Sequence, residues 1–250
     1  MKLMVVVLCL LSERFLIHSL SYQRFSWFGN YVSLISKSIK DNHLFCNPWM
    51  MLGIIILPII TVTSVVYLLF CHLVWGLAGL ILSALIFFYC LGPDNAFYPL
   101  SKGANGDTPN AEVAHYFALV NGQLFTVIFW YVIGGPIAAL TYRLFSLSRA
   151  TESVHQQATQ VTEILEWVPA RITALLFLLV GNFQRGFATF IKYMLTTPNT
   201  NNQLLSECGL HAVRVDDVEE VPIPAAEALV EQAVIVLVVF IALFTLVAWL

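Results

Sequence analysis

The chain has 250 residues, of which 59% are hydrophobic and only 11% are charged, with a formal net charge of −3. A soluble domain carries about 25% charged residues, so this composition excludes one. The negative net charge, without a basic patch interleaved with aromatics, excludes nucleic-acid binding. We predict an all-α, polytopic helical membrane protein with one domain over residues 1–250. It has roughly four to five membrane helices and an amphipathic interfacial helix.

The first segment, residues 1–48, is predicted to be an N-terminal helix followed by a basic stretch. It begins "MKLMVVVLCLLSERF", which resembles a secretory signal, but no small-residue cleavage site follows the apolar run. The sequence therefore favours an uncleaved helix. Glu13 and Arg14 near its end belong either to an interfacial anchor or to an ion pair that enters a polar cleft.

Residues 49–92 are predicted to form a helical hairpin. No Lys, Arg, Asp or Glu occurs between Asp41 and Asp94, and Cys71-His72 divides the apolar stretch into two arms. Residues 93–115 are rich in Gly, Asn, Asp and Pro, which indicates a polar loop. Thr108 and Pro109 have the residue types of a helix N-cap and first helical position.

A third apolar run, residues 116–142, is predicted to be a membrane helix. Its Gly134-Gly135-Pro136 triplet removes side-chain bulk and one backbone donor, so the helix should kink or break there. The alternative role for these small residues is close helix packing. Tyr142 and Arg143 mark the end of the run.

Residues 146–168 are predicted to form an amphipathic helix that caps the membrane bundle, with a coiled-coil seam as the alternative. Its predicted apolar stripe consists of Val154, Ala158, Val161, Leu165 and Val168.

Pro169 suits the first turn of a helix, so we predict that an apolar helix begins there in a new direction and extends to residue 195. Only 13 uncharged residues lie between Arg171 and Arg185, so this helix is either half-buried or a fourth spanning helix. Arg171 would then lie near a helix N-terminus, which disfavours cations. Its charge requires compensation by Glu163, Glu166, a lipid phosphate or an anionic ligand.

The remaining residues are predicted to be an acidic linker (196–228) and a C-terminal membrane helix (229–250). Residues 1–48 and 143–192 both carry several Lys and Arg residues and both look cytoplasmic, yet three apparent crossings separate them. The topology therefore stays open at this stage. The five cysteines and six histidines show no metal-ligand spacing, so neither a metal nor a cofactor is expected.

Two motifs resemble a known family. "GGPIAALTYR" (134–143), followed by "EWVPARITALL" (166–176), is similar to the signature of the CobD/CbiB membrane proteins, and within that superfamily to the AmpE family. "LLSERF" (10–15) and Asn121 before "FTVIFW" (125–130) also match the AmpE pattern. The resemblance implies a non-enzymatic, multi-pass protein of the bacterial inner membrane. Its role would be regulatory or sensory, in β-lactamase induction and the response to β-lactam antibiotics.

The enzyme branch of this superfamily, adenosylcobinamide-phosphate synthase of the CbiB type, is the alternative function. Its motifs are rich in carboxylates, which a nucleotide-activating ligase needs to hold Mg²⁺. Here Ser146-Leu147-Ser148 and Thr162-Glu163 stand where those carboxylates are expected, which argues against this chemistry. A transporter is a second alternative, but no internal repeat is visible.

We hypothesise a polar cleft that binds an anionic small molecule or a lipid headgroup. The partners would be the lipid bilayer and a membrane or cytoplasmic signalling protein. The residues assigned to this cleft are Glu13, Asn121, Gly134, Gly135, Pro136, Tyr142, Arg143, Glu163, Pro169 and Arg171.

Overall fold

The computed structural model describes residues 2–15, 25–39, 47–70, 77–91, 109–214 and 220–247, and these residues form helices without a strand among them. The predicted all-α class is confirmed. The helices are α1 (Lys2–Phe15), α2 (Ser26–Ile39), α3 (Pro48–Phe70), α4 (Leu77–Cys90), α5 (Pro109–Val120), α6 (Thr126–Ser148), α7 (His155–Val180), α8 (Phe183–Met194), α9 (Asn201–Val213) and α10 (Ile223–Val247), with a π-helical segment, Asn121–Phe125, joining α5 to α6.

Three helical stretches are long and apolar enough to cross a bilayer. They are Pro48–Phe70, Asn110–Ser148 and Ile223–Val247, with 23, 39 and 25 residues. Helix α4 has 14 residues, which corresponds to about 21 Å, whereas the hydrocarbon core is about 30 Å thick. Three of the predicted four to five membrane helices therefore meet the length criterion within the described residues.

Large apolar side chains are exposed on the long helices and several polar side chains are buried, as expected for a protein surrounded by lipid. Leu68, Leu69 and Phe244 are among the exposed large hydrophobic residues of α3 and α10. Among the buried polar side chains are Asn121 and Arg143.

The chain divides into two compact units, each assembled from separate segments. Unit 1 comprises Met1–Pro93 and Val127–Ile164, and unit 2 comprises Asp94–Thr126 and Leu165–Leu250. In unit 1, α4 contacts both α1 and α3, which fits the predicted hairpin of residues 49–92. The dividing Cys71-His72 lies outside the described residues. The Tyr131 hydroxyl of α6 hydrogen-bonds Ser83 at 2.8 Å and its ring packs on Phe87.

In unit 2, α9 contacts both α5 and α8, and α10 contacts α5 and α9. Phe117 of α5 packs its ring on Phe177 of α7 and against Gly209 of α9. Any side chain at Gly209 would collide with that ring, because an added Cβ would lie 2.4 Å from Phe117 Cδ2. The glycine thus allows the two helices to approach closely.

Helix α5 begins at Pro109, as predicted from the proline, so residues 109–115 are helical and do not belong to the predicted loop. The proposed N-cap, Thr108, and the glycine-rich part of the loop lie outside the described residues.

The predicted helix boundary at Pro169 is wrong. Helix α7 runs from His155 to Val180 with Pro169 inside it. Proline removes one backbone hydrogen-bond donor, but a helix can continue through it. Here the hydrogen bonds of Trp167 and Arg171, on either side of Pro169, hold α7 in place. The chain turns later, at Gly181, where an added Cβ would lie 2.3 Å from the Ala212 carbonyl oxygen.

The predicted apolar stripe of the amphipathic helix is confirmed only in its first part. Val154 and Ala158 are buried, whereas Val168 is exposed and Thr162 and Glu166 are buried. A rule that places apolar residues inside fails here because a lipid-facing surface is itself apolar.

The predicted linker over residues 196–228 is also wrong, because it contains α9 and the start of α10. Asn201–Val213 forms α9, whose Leu204, Leu205 and Cys208 are buried. These apolar residues lie on one face of α9. The prediction of a linker was based on the overall polar composition of the segment, which does not show this periodicity.

Candidate functional site

Arg171 is the best-defined polar centre of unit 2. It lies on α7 two residues after Pro169 and is only 8% exposed. Burial lowers the pKa of its guanidinium, but an arginine stays protonated in proteins, so its charge needs partners.

All five N–H groups of the Arg171 guanidinium donate to oxygen atoms of unit 2. Nε donates to the Met194 carbonyl at 3.1 Å. One Nη group donates to the Trp167 carbonyl at 2.9 Å and to the side-chain oxygen of Asn201. The other donates to the carbonyls of Tyr193 at 3.4 Å and Thr196 at 3.1 Å. A guanidinium has five N–H donors, so each one has an acceptor.

Three of the five acceptors, the carbonyls of Tyr193, Met194 and Thr196, lie at or just after the C-terminal end of α8, where the last carbonyls of a helix have no intrahelical donor and the helix dipole is negative. Trp167, one turn before Arg171, donates its indole N–H to the same Thr196 carbonyl at 2.9 Å. The guanidinium carbon lies 4.4 Å from the Trp167 ring centroid, a cation–π distance. We call this group the α8 clamp: Trp167, Arg171 and Asn201 with the carbonyls of residues 193, 194 and 196.

The α8 clamp compensates the positive charge of Arg171. Carbonyl oxygens, an amide oxygen and an aromatic ring surround it, and no lipid phosphate or ligand is required. An anion could bind Arg171 only by displacing one of these acceptors. The geometry therefore favours a positioning role for Arg171, while its predicted ligand contact stays a prediction.

Asn121 begins the π-helical segment and is fully buried. Its side-chain oxygen accepts a hydrogen bond from the Thr173 hydroxyl of α7 at 2.8 Å. Its amide nitrogen is buried without a hydrogen-bond partner, as is the hydroxyl of Thr126 five residues later. The i→i+5 spacing of a π turn brings these two positions one above the other, and π bulges are frequent at functional sites.

The predicted break at Gly134-Gly135-Pro136 is confirmed. Gly135 has φ 76° and ψ −164° inside α6, a backbone conformation that is open essentially only to glycine. Pro136 follows with no backbone N–H to satisfy. At Gly134 an added Cβ would lie 2.5 Å from the Cβ of Ala138, so the smallest residue is needed there as well.

Tyr142 and Arg143 lie after this break and both are buried. The Arg143 Nε donates to the carbonyl of Cys90, the last residue of α4, at 2.7 Å. Arg143 therefore also meets the C-terminal end of a helix, within unit 1.

The structure assigns the predicted site residues to both units. Gly134, Gly135, Pro136, Tyr142, Arg143 and Glu163 belong to unit 1, whereas Asn121, Pro169 and Arg171 belong to unit 2. Glu13 lies on α1 of unit 1, but its side chain is outside the described residues. The gathering of these residues in one cleft stays a prediction.

Sequence reasoning missed Thr173, Thr196 and Asn201. Thr173 is a single hydroxyl residue in the apolar run "ITALLFLL", which was a usable signal for a polar contact. The segment "TTPNTNN" has helix-start residues and a proline, which predict a helix N-terminus near Asn201. Nothing local could link either segment to Arg171.

Comparison with known proteins gives one match. A family model described as "Regulatory signalling modulator protein AmpE" matches residues 110–250, which is more than half of the chain and includes every predicted site residue except Glu13. No curated protein and no solved structure matches the chain significantly. Among the described residues, no three His, Cys, Asp or Glu side chains group together as metal ligands.

Proposed function

We propose a regulatory role for this chain on the premise that it belongs to the AmpE family of regulatory signalling modulator proteins, whose family model matches residues 110–250. The family match is the observation that carries the proposal. The specific process is β-lactamase induction in the response to β-lactam antibiotics. The proposed location is the bacterial inner membrane, and the three helical stretches long and apolar enough to cross it support a multi-pass protein.

Buried polar residues of the matched region form hydrogen bonds between helices. We propose that these hydrogen bonds fix the helix arrangement on which the regulatory role depends. Thr173 joins α7 to Asn121 of the π segment. Arg171 joins α7 to the end of α8 and the start of α9. A modulator needs helices that hold a defined arrangement and transmit a change in it, and buried polar contacts specify such an arrangement. Asn121 and Arg171 are positioning residues in this proposal.

The experiment is to delete the gene in its native host and to measure β-lactamase activity after a sublethal dose of a β-lactam. We expect the induced activity to differ from that of the parent strain, and a plasmid copy of the intact gene to restore it. Induction in the deletion strain that equals that of the parent at every dose would contradict the proposed function.

A variant pair tests the positioning residues in the same assay. Asn121→Ala removes the acceptor for Thr173, and Thr173→Val removes the donor while keeping the side-chain shape. We expect both to shift induction in the same direction, with a double variant no worse than the stronger single one, because both break one contact. Protein abundance is measured alongside, since a change in induction at normal abundance separates signalling from instability.

A further inference from the structure

Helix α8 carries an exposed apolar stripe that no other part of the described chain covers. Phe183, Phe187, Ile191 and Met194 follow one another at steps of four, four and three residues, and they are 38% to 56% exposed. The Phe183 and Phe187 rings stack with centroids 4.7 Å apart. We call these four residues the α8 stripe.

The other faces of α8 have different characters. Gly186 and Phe190 are buried against the protein, and the Gly186 position lies against Leu178 of α7. Arg185 and Lys192 are exposed on a third, polar face. The helix therefore has a protein-facing side, an exposed apolar side and a cationic side.

The charged residues on α8 itself are of one sign, since the helix contains Arg185 and Lys192 and no Asp or Glu. The Glu207 carboxylate of α9 accepts a hydrogen bond from the Tyr193 hydroxyl at 3.0 Å, on the side of α8 that packs against the protein. The α8 clamp uses every donor of Arg171. Arg185 and Lys192 are thus the exposed cations of α8, which makes the helix complementary to a negatively charged surface.

Helix α8 is too short to cross a bilayer. Its 12 residues span about 18 Å, against about 30 Å for the hydrocarbon core. Both of its ends are fastened within unit 2: just before its start the Asn182 backbone N–H donates to the Ala212 carbonyl at 3.0 Å, and the α8 clamp holds its end. A short helix with one apolar side and one cationic side fits the membrane surface, where the two sides meet acyl chains and headgroups.

We propose that α8 lies along the bilayer surface, with the α8 stripe among the outermost acyl carbons and with Arg185 and Lys192 bound to the headgroups of anionic phospholipids. Aromatic residues on one face and Lys or Arg on the polar face are the composition of helices that lie in this interface. A second copy of the chain fits the stripe less well, because it would bring two cationic helices together without an acidic residue on either.

The experiment uses the full-length protein in lipid nanodiscs of phosphatidylcholine, with or without phosphatidylglycerol. Phe187→Cys places a fluorescent label in the α8 stripe, and Ala188→Cys places the same label at the next residue, which is exposed on the polar side. We expect quenching by aqueous acrylamide to be about fivefold weaker at position 187 than at 188, and quenching by a nitroxide near the lipid headgroup to be stronger at 187.

The lipid charge is tested with Arg185→Gln and Lys192→Gln in the Phe187→Cys background. In discs that contain phosphatidylglycerol, we expect each substitution to weaken the docking of α8 on the lipid about fivefold, read from the nitroxide quenching. Ile191→Cys repeats the measurement at a second stripe position without loss of the stacked rings. Each variant is compared with the parent by circular dichroism, so that a folding defect is recognised.

Three results would overturn the proposal. Equal acrylamide quenching at positions 187 and 188 would mean that α8 is away from the bilayer. Protection of position 187 from acrylamide without quenching by the lipid nitroxide would mean that protein covers the stripe. Docking that is equally strong with and without phosphatidylglycerol would remove the role of anionic headgroups.

Discussion

Arg171 carries a full positive charge in a buried position. Hydrogen bonds to oxygen atoms, most of them backbone carbonyls, offset the free energy of removing this charge from water. Its planar guanidinium directs N–H groups at the end of α8 and at Asn201 simultaneously. A lysine has three donors on a point charge and cannot reproduce this fork. Shape as well as charge is therefore required at this position.

We predict that Arg171→Lys and Arg171→Gln destabilise the protein to a similar extent. Each leaves buried carbonyls without a donor, which lowers the free energy of unfolding by about 2 to 3 kcal/mol. Thermal denaturation in nanodiscs measures the effect. The matched control is Lys192→Arg and Lys192→Gln on the exposed face of α8, measured in phosphatidylcholine discs without anionic lipid, for which we expect little change. Retention of wild-type stability in Arg171→Lys, with loss only in Arg171→Gln, would show that charge alone matters.

Cys208 on α9 is predicted to be chemically inert in the folded protein. Burial, with the nearby Glu207 carboxylate, raises the pKa of its thiol to about 12. At pH 8 the thiolate fraction is then about one in ten thousand, against roughly one in four for an ordinary thiol with a pKa near 8.5. Alkylation followed by peptide mass spectrometry should find this cysteine unmodified at pH 8 and modified after unfolding in detergent.

The same pKa shift has a consequence for stability. The unfolded thiol loses its proton near pH 8.5, while the folded one keeps it until about pH 12. The stabilising contribution of this burial is therefore complete below about pH 8.5 and is lost as the pH rises toward 12. Equal alkylation rates in folded and unfolded protein at pH 8 would contradict this assignment.

For single residues, the sequence showed that the buried charge of Arg171 needs partners but did not show which residues supply them. A cation next to a proline in an apolar run indicates that a partner is needed. Four of the five hydrogen-bond acceptors come from residues 193–201, more than twenty positions away, and a backbone carbonyl cannot be recognised in a sequence. Only the fold could bring them together.

Helix α9 shows how small residues determine packing between elements. Gly209 faces the Phe117 ring of α5, and Gly181 faces the Ala212 carbonyl. Both contacts require the absence of a side chain. The polar sequence of α9 is thus compatible with close packing because its contact face is made of Gly, Ala, Cys and Leu.

We predict that Gly209→Ala lowers the free energy of unfolding by about 1 to 3 kcal/mol, because the added methyl group would force α9 away from the fully buried Phe117. Gly29→Ala on α2 is the matched control. Nothing lies within 4 Å of its added Cβ, so a better helix former should raise stability by about 0.5 to 1 kcal/mol. Denaturation of both variants under one condition compares them; destabilisation by Gly29→Ala, or none by Gly209→Ala, would refute the packing argument.

Among the elements, the long apolar helices and the break at Gly135 could be predicted, and the continuity of α7 could not. Hydrophobic length and a Gly-Gly-Pro triplet are local signals with a direct physical meaning. Pro169 is also a local signal, but its effect depends on contacts elsewhere, since a helix tolerates one missing donor when its neighbours hold it. Those neighbours are α8 and the turn that follows it.

The whole molecule consists of two units, each of which needs distant parts of the chain. In unit 1, α6 depends on α4, because Tyr131 binds Ser83 and Arg143 binds the Cys90 carbonyl. The region matched by the family model, residues 110–250, lacks α4. The family model therefore covers α6 but not α4, the helix that α6 contacts.

We predict that residues 110–250 expressed alone accumulate at a level several-fold below that of the full chain, because buried polar groups of α6 lose their partners and the opened protein is degraded. Immunoblotting of membrane fractions measures the level. Co-expression of residues 1–109 as a separate polypeptide should restore it in part. Accumulation and thermal stability of the fragment equal to those of the full chain would show that α4 is dispensable for α6.

The order of the segments also governs how the molecule can be made. Helix α5 and the π segment belong to unit 2, yet α9 and α10, which they contact, are translated only after all of unit 1. At about 5 to 20 residues per second, the ribosome needs roughly 3 to 10 s for the 52 residues from Asn121 to Thr173. During that delay the side-chain oxygen of Asn121 lacks its hydrogen-bond donor, the Thr173 hydroxyl. The insertion machinery must therefore protect the incomplete unit 2 until Thr173 has been translated.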